Sequence, residues 1–457
     1  MSILLALLIF GILIFIHELG HFIAARMCGV KILEFSIGMG PKIFSKKSKK
    51  SGTVYSLRLL PIGGYVNMLG ENGMEAVQGS SAGDGPEDDD KSFFLNEDGE
   101  DTEQEPKPLN EEEAKHAYCN QSVWKRILIS LAGPLMNLIL GFLLMLVIVI
   151  ADGNGGLGTT VVADFHIVYQ SETELPGMMQ GDYIDAVDGV EINSFAQLKE
   201  LVSKDEDGLF HLTVRRYNEE TRDVDSVTIE GVPLAAEDLN AYFIPSVSET
   251  CDLQLGDEII KVNHVRVHTA DELSYEIMMQ GYRPIDLTVL RNGEKVVLDD
   301  VKFPNSADEA SGIVVGMIDF RVFAEREYHL GTILKHTWYR SLSMVKMVYD
   351  SLVGLFTGRY GMEAVSGPVG ITKTISDVAK TGILNVISFM AIISINLGIM
   401  NLLPFPALDG GHLMIYLIEI VRRKPMKKEV EGIINFIGLV IILALAIIIS
   451  IKDIISL

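Results

Sequence analysis

The sequence is short of cysteine and of positive charge, and each shortage removes a class of protein. Cys28, Cys119 and Cys251 are the only cysteines in 457 residues and form no CxxC pair. A disulfide-stapled fold and a thiolate metal site are therefore excluded, and the three thiols read as isolated. Lysine and arginine number 38 against 61 acids, a formal charge of −23. That balance supplies no broad electropositive face, so no nucleic-acid partner is expected. The N-terminus, Met-Ser-Ile-Leu-Leu, lacks the basic start of a secretory leader, and its apolar run carries His17, Glu18 and His21. It reads as a retained transmembrane helix.

Apolar and acidic residues are both abundant, but they occupy different stretches. Long apolar runs lie near residues 2–25, 127–151, 383–403 and 433–451, each close to the ~20 residues that cross a bilayer. Residues 35–70 carry Lys42, Lys46, Lys47, Lys49, Lys50 and Arg58 and no acid. Lys125 and Arg126 flank the second run, and Arg422, Arg423, Lys424, Lys427 and Lys428 lie between the last two. Basic loops stay on the cytoplasmic side. Four spans follow, with both termini and residues 152–325 outside the cytoplasm.

Residues 71–118 are rich in Asp, Glu, Gly and Ser, with Asp88-Asp89-Asp90 and Glu111-Glu112-Glu113. Such a composition buries too little surface to offset its ordering entropy, and a disordered cytoplasmic insertion is expected. The region beyond the second span repeats itself. Gly181-Asp182-Tyr183-Ile184-Asp185-Ala186-Val187-Asp188-Gly189 matches Gly256-Asp257-Glu258-Ile259-Ile260-Lys261-Val262-Asn263-His264. Each copy continues into a helix-like stretch (from Phe195; from Ala270) and then a strand candidate (His211–Val214; Ile285–Val289). This pattern resembles bacterial PDZ domains. The resemblance implies two α+β modules, over 158–232 and 240–304, that take peptide termini by strand addition. A steric cap over the membrane region is the alternative role. Asn263 must carry the turn that Asp188-Gly189 makes in the first copy, and Asn tolerates positive φ.

His17-Glu18-Leu19-Gly20-His21 places two imidazoles four residues apart on one helical face, where both reach a single Zn²⁺. Glu18 is then the general base toward the metal-activated water. Three ionisable side chains in an apolar span are costly unless they bind something. A catalytic zinc takes three protein ligands. The third is expected in Asn401-Leu402-Leu403-Pro404-Phe405-Pro406-Ala407-Leu408-Asp409-Gly410-Gly411, where Asp409 is preferred and His412 is a rival. Asn401 can donate to a substrate carbonyl or serve only as a packing amide. A membrane-anchored peptidase with Glu34 as third ligand would need a compact soluble domain after residue 35. A membrane scaffold with a vestigial site is opposed by the intact set of His17, Glu18, His21 and Asp409.

With these motifs the chain resembles the bacterial site-2 proteases of the regulator-of-sigma-E type. It also shares Phe35-Ser36-Ile37-Gly38-Met39-Gly40-Pro41, Pro61-Ile62-Gly63-Gly64-Tyr65-Val66 and Ala132-Gly133-Pro134. The resemblance implies that His17, His21 and Asp409 hold one catalytic Zn²⁺, that Glu18 activates water and that Asn401 positions substrate. It makes the stretch around Gly63 and Gly64 a membrane-reentrant β-element whose edge strand receives an unwound substrate helix. The expected substrates are single-span membrane proteins, such as anti-sigma factors, or signal-peptide remnants, cleaved in regulated intramembrane proteolysis.

The expected fold is a polytopic α-helical membrane protein of about four transmembrane helices with that β-element and two extracytoplasmic PDZ-like domains, in a bacterial inner or plasma membrane. Its segments are 1–28 and 119–151 for the first two spans, 29–70 for the β-element, 325–382 for an interfacial helical segment, and 383–420 and 432–453 for the last two spans.

Overall fold

The computed structural model describes residues 2–71, 111–152, 157–165, 167–169, 171, 173–192, 195–205, 207–217, 224–244, 252–303, 305–307, 314–316, 318, 320–325, 329–358 and 365–455. The chain forms two compact units, Met1–Gly141 with Ser366–Leu457, and Phe142–Val365.

Among the described residues four helical segments are long and apolar enough to cross a membrane: Leu4–Met27, Val123–Ala151, Ile383–Leu402 and Glu429–Ile455. In lipid an apolar chain must satisfy every backbone group internally, which is why these runs are helices. The first and second spans approach closely because Gly20 has no side chain: a Cβ there would lie 2.3 Å from the carbonyl oxygen of Ala132. Gly141 admits Ile395 of the third span in the same way, at 2.4 Å.

The expected third span, 383–420, is two helices. Ile383–Leu402 ends at the Pro404-Phe405-Pro406 break, and a separate helix, Asp409–Arg422, begins at Asp409. The prolines cannot continue the hydrogen-bond ladder, and the fourth span braces the break. Asn435 accepts from the Ala407 backbone N–H at 3.3 Å, and Gly438 lies against Pro406. The non-helical backbone between these two helices is thus packed against protein.

After the first span come two long strands, β1 (Ile32–Lys47) and β2 (Val54–Met68), paired antiparallel. Their register bends each strand back on itself. Glu34–Ile37 has Gly64–Asn67 on one side and Val54–Leu57 on the other, and Val54–Arg58 also pairs with the Lys42–Lys47 stretch. The sheet therefore has two outer edges, 64–68 and 42–47. Glycines at positive φ, Gly38, Gly40 and Gly63, make the bends.

The acidic insertion falls mostly on residues 72–110, which lie outside the described residues. Its last part departs from the expected disorder: Glu111–Lys115 is helical, Lys31 pairs with Glu113 at 3.0 Å, and the Tyr118 N–H donates to the Leu69 carbonyl at 2.7 Å.

In the other unit the repeat forms two six-stranded sheets. The main path of one runs Val224–Pro233, Leu209–Tyr217, Tyr183–Val187, Ile167–Tyr169, Phe243–Ile244; that of the other runs Glu294–Val301, Ile285–Arg291, Glu258–Val262, Leu157–Phe165, Phe320–Glu325. This redraws the expected boundaries. Leu157–Phe165, expected in the first module, pairs with the second copy's strands, because its Val162 is buried with Ile259, Leu273 and Leu287. The first copy instead extends to Ile244, whose neighbour Phe243 joins Tyr169 in its core.

The repeated Gly-Asp has a structural cause in both copies. Asp182 is buried and takes Nε and Nη2 of Arg216 at 2.9 and 2.7 Å. Asp257 takes the same two groups of Arg291 at 2.8 Å each. The turn equivalence holds as well. Asp188 and Asn263 sit at φ 49° and 50°, and each side chain accepts a backbone N–H from the neighbouring strand, of His211 and Asp286 respectively.

Candidate metal centre

His17 and His21 lie one turn apart on the first span. Asp409 reaches them from the first residue of the helix beyond the proline break. Its carboxylate oxygens stand 3.1 Å from His17 Nε2 and 3.4 Å from His21 Nε2, and the two Nε2 atoms are 3.2 Å apart. Among the described residues this is the one group of three His, Cys, Asp or Glu side chains with metal-ligand spacing. Zinc bonds of about 2.0–2.1 Å in tetrahedral geometry separate neighbouring ligand atoms by about 3.3 Å, so these residues fit the ion.

The hydrogen bonds around the imidazoles point the same way. His21 Nδ1 lies 2.7 Å from the carbonyl oxygen of Ile129. A carbonyl only accepts, so Nδ1 carries the proton and Nε2 presents its lone pair. His17 Nδ1 faces the side-chain amide of Asn137, a fully buried residue, at 3.2 Å. Asn137 Oδ1 is buried without a hydrogen-bond partner. Turning that amide by 180° lets Oδ1 accept from His17 Nδ1–H and leaves His17 Nε2 free as a ligand. Two lone pairs 3.2 Å apart beside a carboxylate call for a cation between them.

Gly133 supplies the room. A Cβ there would lie 2.3 Å from His21 Nε2 and 2.9 Å from His17 Cε1, so the second span offers backbone alone to the ligand atoms. Gly410 and Gly411 do the same for Asp409. Side chains on them would run into the Leu403 and Phe405 carbonyls at 2.1 and 2.3 Å and hold Asp409 away.

Glu18 interacts electrostatically with His17, His21 and Asp409 and accepts a hydrogen bond from the Val66 backbone. Gly64 comes so close that a Cβ on it would lie 3.1 Å from Glu18 Cγ. The 64–68 edge of the sheet therefore borders the centre, and Gly63, at φ 86°, makes the bend that brings it there. Asn401 occupies the last turn before the proline break. His412, the rival ligand, turns toward Glu431 of the fourth span at 3.3 Å. Glu34, the ligand of the alternative reading, is engaged by Ser56, Lys42 and Arg58 within the sheet.

Gly133, Asn137 and the Ile129 carbonyl were not singled out from sequence as site residues. Asn137 carried a signal: a lone amide inside an apolar span is expensive for the same reason as His17 and His21.

Comparison with known proteins agrees with this centre. The sequence profile of peptidase family M50 matches residues 5–445. The regulator of sigma-W protease RasP of Bacillus subtilis is 28% identical, with 98% of this chain and 97% of that protein covered. The zinc metalloprotease RasP of Geobacillus kaustophilus is 30% identical, with 99% and 97% covered. The protein of the same name from Shouchella clausii is 29% identical, with 98% and 97% covered. With a profile match across nearly the whole chain and four apolar helices, the protein belongs to peptidase family M50 and is a membrane metalloprotease of the site-2 type.

Proposed function

We propose that the protein cleaves transmembrane segments of other membrane proteins at the His17–His21–Asp409 centre. The observation that carries the reading is the meeting of three candidate ligand atoms from two distant segments, the first an apolar span, with Glu18 and an open strand edge beside them. His17, His21 and Asp409 would hold one zinc ion. When bound, zinc supplies a Lewis acid for the scissile carbonyl and for water. Glu18 takes the proton of the attacking water as its oxygen bonds to the carbonyl carbon, then returns it to the amide nitrogen as the C–N bond breaks. Asn401 donates to the carbonyl oxygen as charge develops there.

A transmembrane helix conceals its peptide bonds in its own hydrogen bonding. Residues 64–68 offer an edge that replaces those bonds once the substrate unwinds. Gly64 keeps that edge against Glu18. The substrates are single-span membrane proteins, anti-sigma factors or signal-peptide remnants among them. The name of the Bacillus subtilis relative, a regulator of sigma-W protease, supports that class. The two repeats are PDZ-like modules outside the cytoplasm that recognise or sterically filter the substrate before the membrane step. The centre lies in the cytoplasmic half of a bacterial cell membrane, and helix Leu330–Phe356, with its exposed apolar residues, lies at the outer interface.

The test compares wild type with Glu18→Gln on a reporter transmembrane helix in liposomes. Loss of cleavage with zinc content retained is expected. Unchanged cleavage in the variant would overturn the mechanism.

A further inference from the structure

The lysines that help fix the topology sit on the sheet edge opposite the one bordering Glu18. Among the described residues the 42–47 stretch of β1 pairs only with Val54–Arg58, so it is an outer edge there, and it is exposed throughout. Its composition changes along its length. Phe44 and Ile43 are about 60% exposed, with Leu57, Leu59 and Met39 exposed nearby. Beyond them Lys46, Lys47, Lys49 and Lys50 crowd the turn, and among the described residues none of the four makes an ion pair. Lys42 differs, being paired with Glu34 at 3.3 Å.

The register gives this gradient a depth. Phe44 pairs with Leu57, Leu57 with Ile37, and Ile37 with Gly64, which touches Glu18. Phe44 is thus level with Glu18. Lys47 pairs with Val54 and Val54 with Glu34, while Thr53 Oγ1 donates to the Ile32 carbonyl at 3.0 Å. The lysine turn is thus level with the end of the first span at Met27. Nine residues separate Glu18 from Met27, about 13 Å of helix. A 26-residue helix is about 39 Å long, some 9 Å more than a ~30 Å hydrocarbon core. Shared between its two ends, that overhang puts Met27 about 4–5 Å outside the core, so the lysines fall in the headgroup layer and Phe44, level with Glu18, lies about 9 Å inside the acyl region. Unpaired backbone is costly in hydrocarbon, and headgroups with their water supply partners at the lysine end of the edge.

We propose that residues 42–50 form a binding surface for anionic phospholipid headgroups, with Lys46, Lys47, Lys49 and Lys50 on the phosphates and Ile43 and Phe44 in the upper acyl region. Opposite charge draws each lysine toward an anionic surface, and the excess of acid elsewhere in the chain makes this patch locally distinct. The surface seats the β-sheet from the side remote from Glu18 and does not depend on the peptidase reading.

The test uses full-length protein carrying Phe44→Trp with Trp124→Phe and Trp338→Phe, reconstituted in phosphatidylcholine vesicles with about three parts in ten phosphatidylglycerol. Bromine is placed on the chains of one lipid or the other. Brominated phosphatidylglycerol is expected to quench the indole introduced by Phe44→Trp at least twofold more than brominated phosphatidylcholine per molecule. Replacing the four lysines with glutamine should abolish that preference while both lipids still quench. Equal quenching before replacement overturns the proposal. So does absence of quenching by either lipid, which would mean that water, the acidic segment or another chain faces the edge. In the unsubstituted sequence, native mass spectrometry should show fewer retained phosphatidylglycerol molecules in the four-glutamine variant, and an unchanged number is equally fatal. Zinc content and cleavage in phosphatidylcholine alone should stay at wild-type levels in that variant.

Discussion

Gly133 of the second span faces His21 of the first so closely that a methyl group on it would lie 2.3 Å from Nε2. The obstacle falls on the lone pair that would bind metal, and helix backbone cannot retreat as a flexible side chain can. Gly133→Ala should therefore lower zinc affinity by about 10–100-fold, the range seen when groups orienting metal ligands are disturbed. Zinc content measured across a chelator series checks this. Gly141→Ala, which meets Ile395 and the Ala391 carbonyl on the third span first, should disturb packing without a comparable loss of metal.

Asn137 gives a second reading of the same centre. If its amide oxygen accepts from His17 Nδ1–H, removing it leaves the imidazole free to rotate and to choose the other tautomer. Asn137→Leu should lower zinc affinity and cleavage about 10–100-fold. Asn137→Asp, which keeps an acceptor at that position, should recover part of the metal binding. Equal affinity in all three proteins would show that Asn137 packs the helices and nothing more.

The proposed ligands can be separated from the proposed base by what each variant loses. Asp409→Ala should abolish stoichiometric zinc. His412→Ala should leave zinc near wild-type content, since its imidazole is turned to Glu431, and Glu18→Gln should retain zinc and lose cleavage. Metal analysis beside the reporter assay distinguishes the three, and a greater zinc loss from His412→Ala than from Asp409→Ala would reverse the assignment.

How far these features could be read in sequence depended on how local their cause is. His17, Glu18 and His21 were legible because two imidazoles four residues apart share one helical face, and Asp409 because a carboxylate in an apolar stretch is costly; the structure brings His17, His21 and Asp409 together. The role of Gly133 was not, since it depends on where two helices cross, and the Ile129 carbonyl has no side-chain signature at all. The break after Leu402 was half legible. The expected third span runs through Pro404 and Pro406 to residue 420, whereas these prolines end one helix and let Asp409 begin another. Strand Leu157–Phe165 was assigned to the copy beside it in sequence, but its Val161 pairs with the distant Glu258, and a strand joins the sheet that buries its apolar face.

The two Gly-Asp turns show a regularity that sequence carried unnoticed. Each buried aspartate meets an arginine 34 residues later, Arg216 in one copy and Arg291 in the other. Removing the cation leaves a carboxylate 1% exposed without its partner, a loss that for buried pairs costs about 3–5 kcal/mol. Arg216→Met or Arg291→Met should therefore unfold its own copy at lower denaturant, with a cost toward the lower end because both arginines are partly solvated. Limited proteolysis across a urea series locates the loss. Sensitivity confined to 167–244 for Arg216→Met and to the second copy for Arg291→Met is expected.

Asp453, near the end of the fourth span, reaches back to helix Pro368–Lys380. Its Oδ2 accepts the backbone N–H of Gly367 at 2.8 Å and of Gly370 at 2.9 Å. Those donors have no partner within their own helix, and an anion there also opposes the positive end of the helix dipole. Gly367 and Gly370 permit the contact, since a Cβ on either would lie 3.0 Å from that oxygen. The helix so anchored buries Ile375 against Ala6, Ile9 and Leu13 of the first span, upstream of His17. Asp453→Ala should free residues 367–371 to exchange amide hydrogen faster while zinc content stays unchanged, because the anchor lies away from the ligands. Asp453→Asn keeps an acceptor but loses the charge, so its exchange should fall between wild type and Asp453→Ala. If the asparagine matched wild type, the hydrogen bonds alone would hold the helix; if it matched alanine, the charge would.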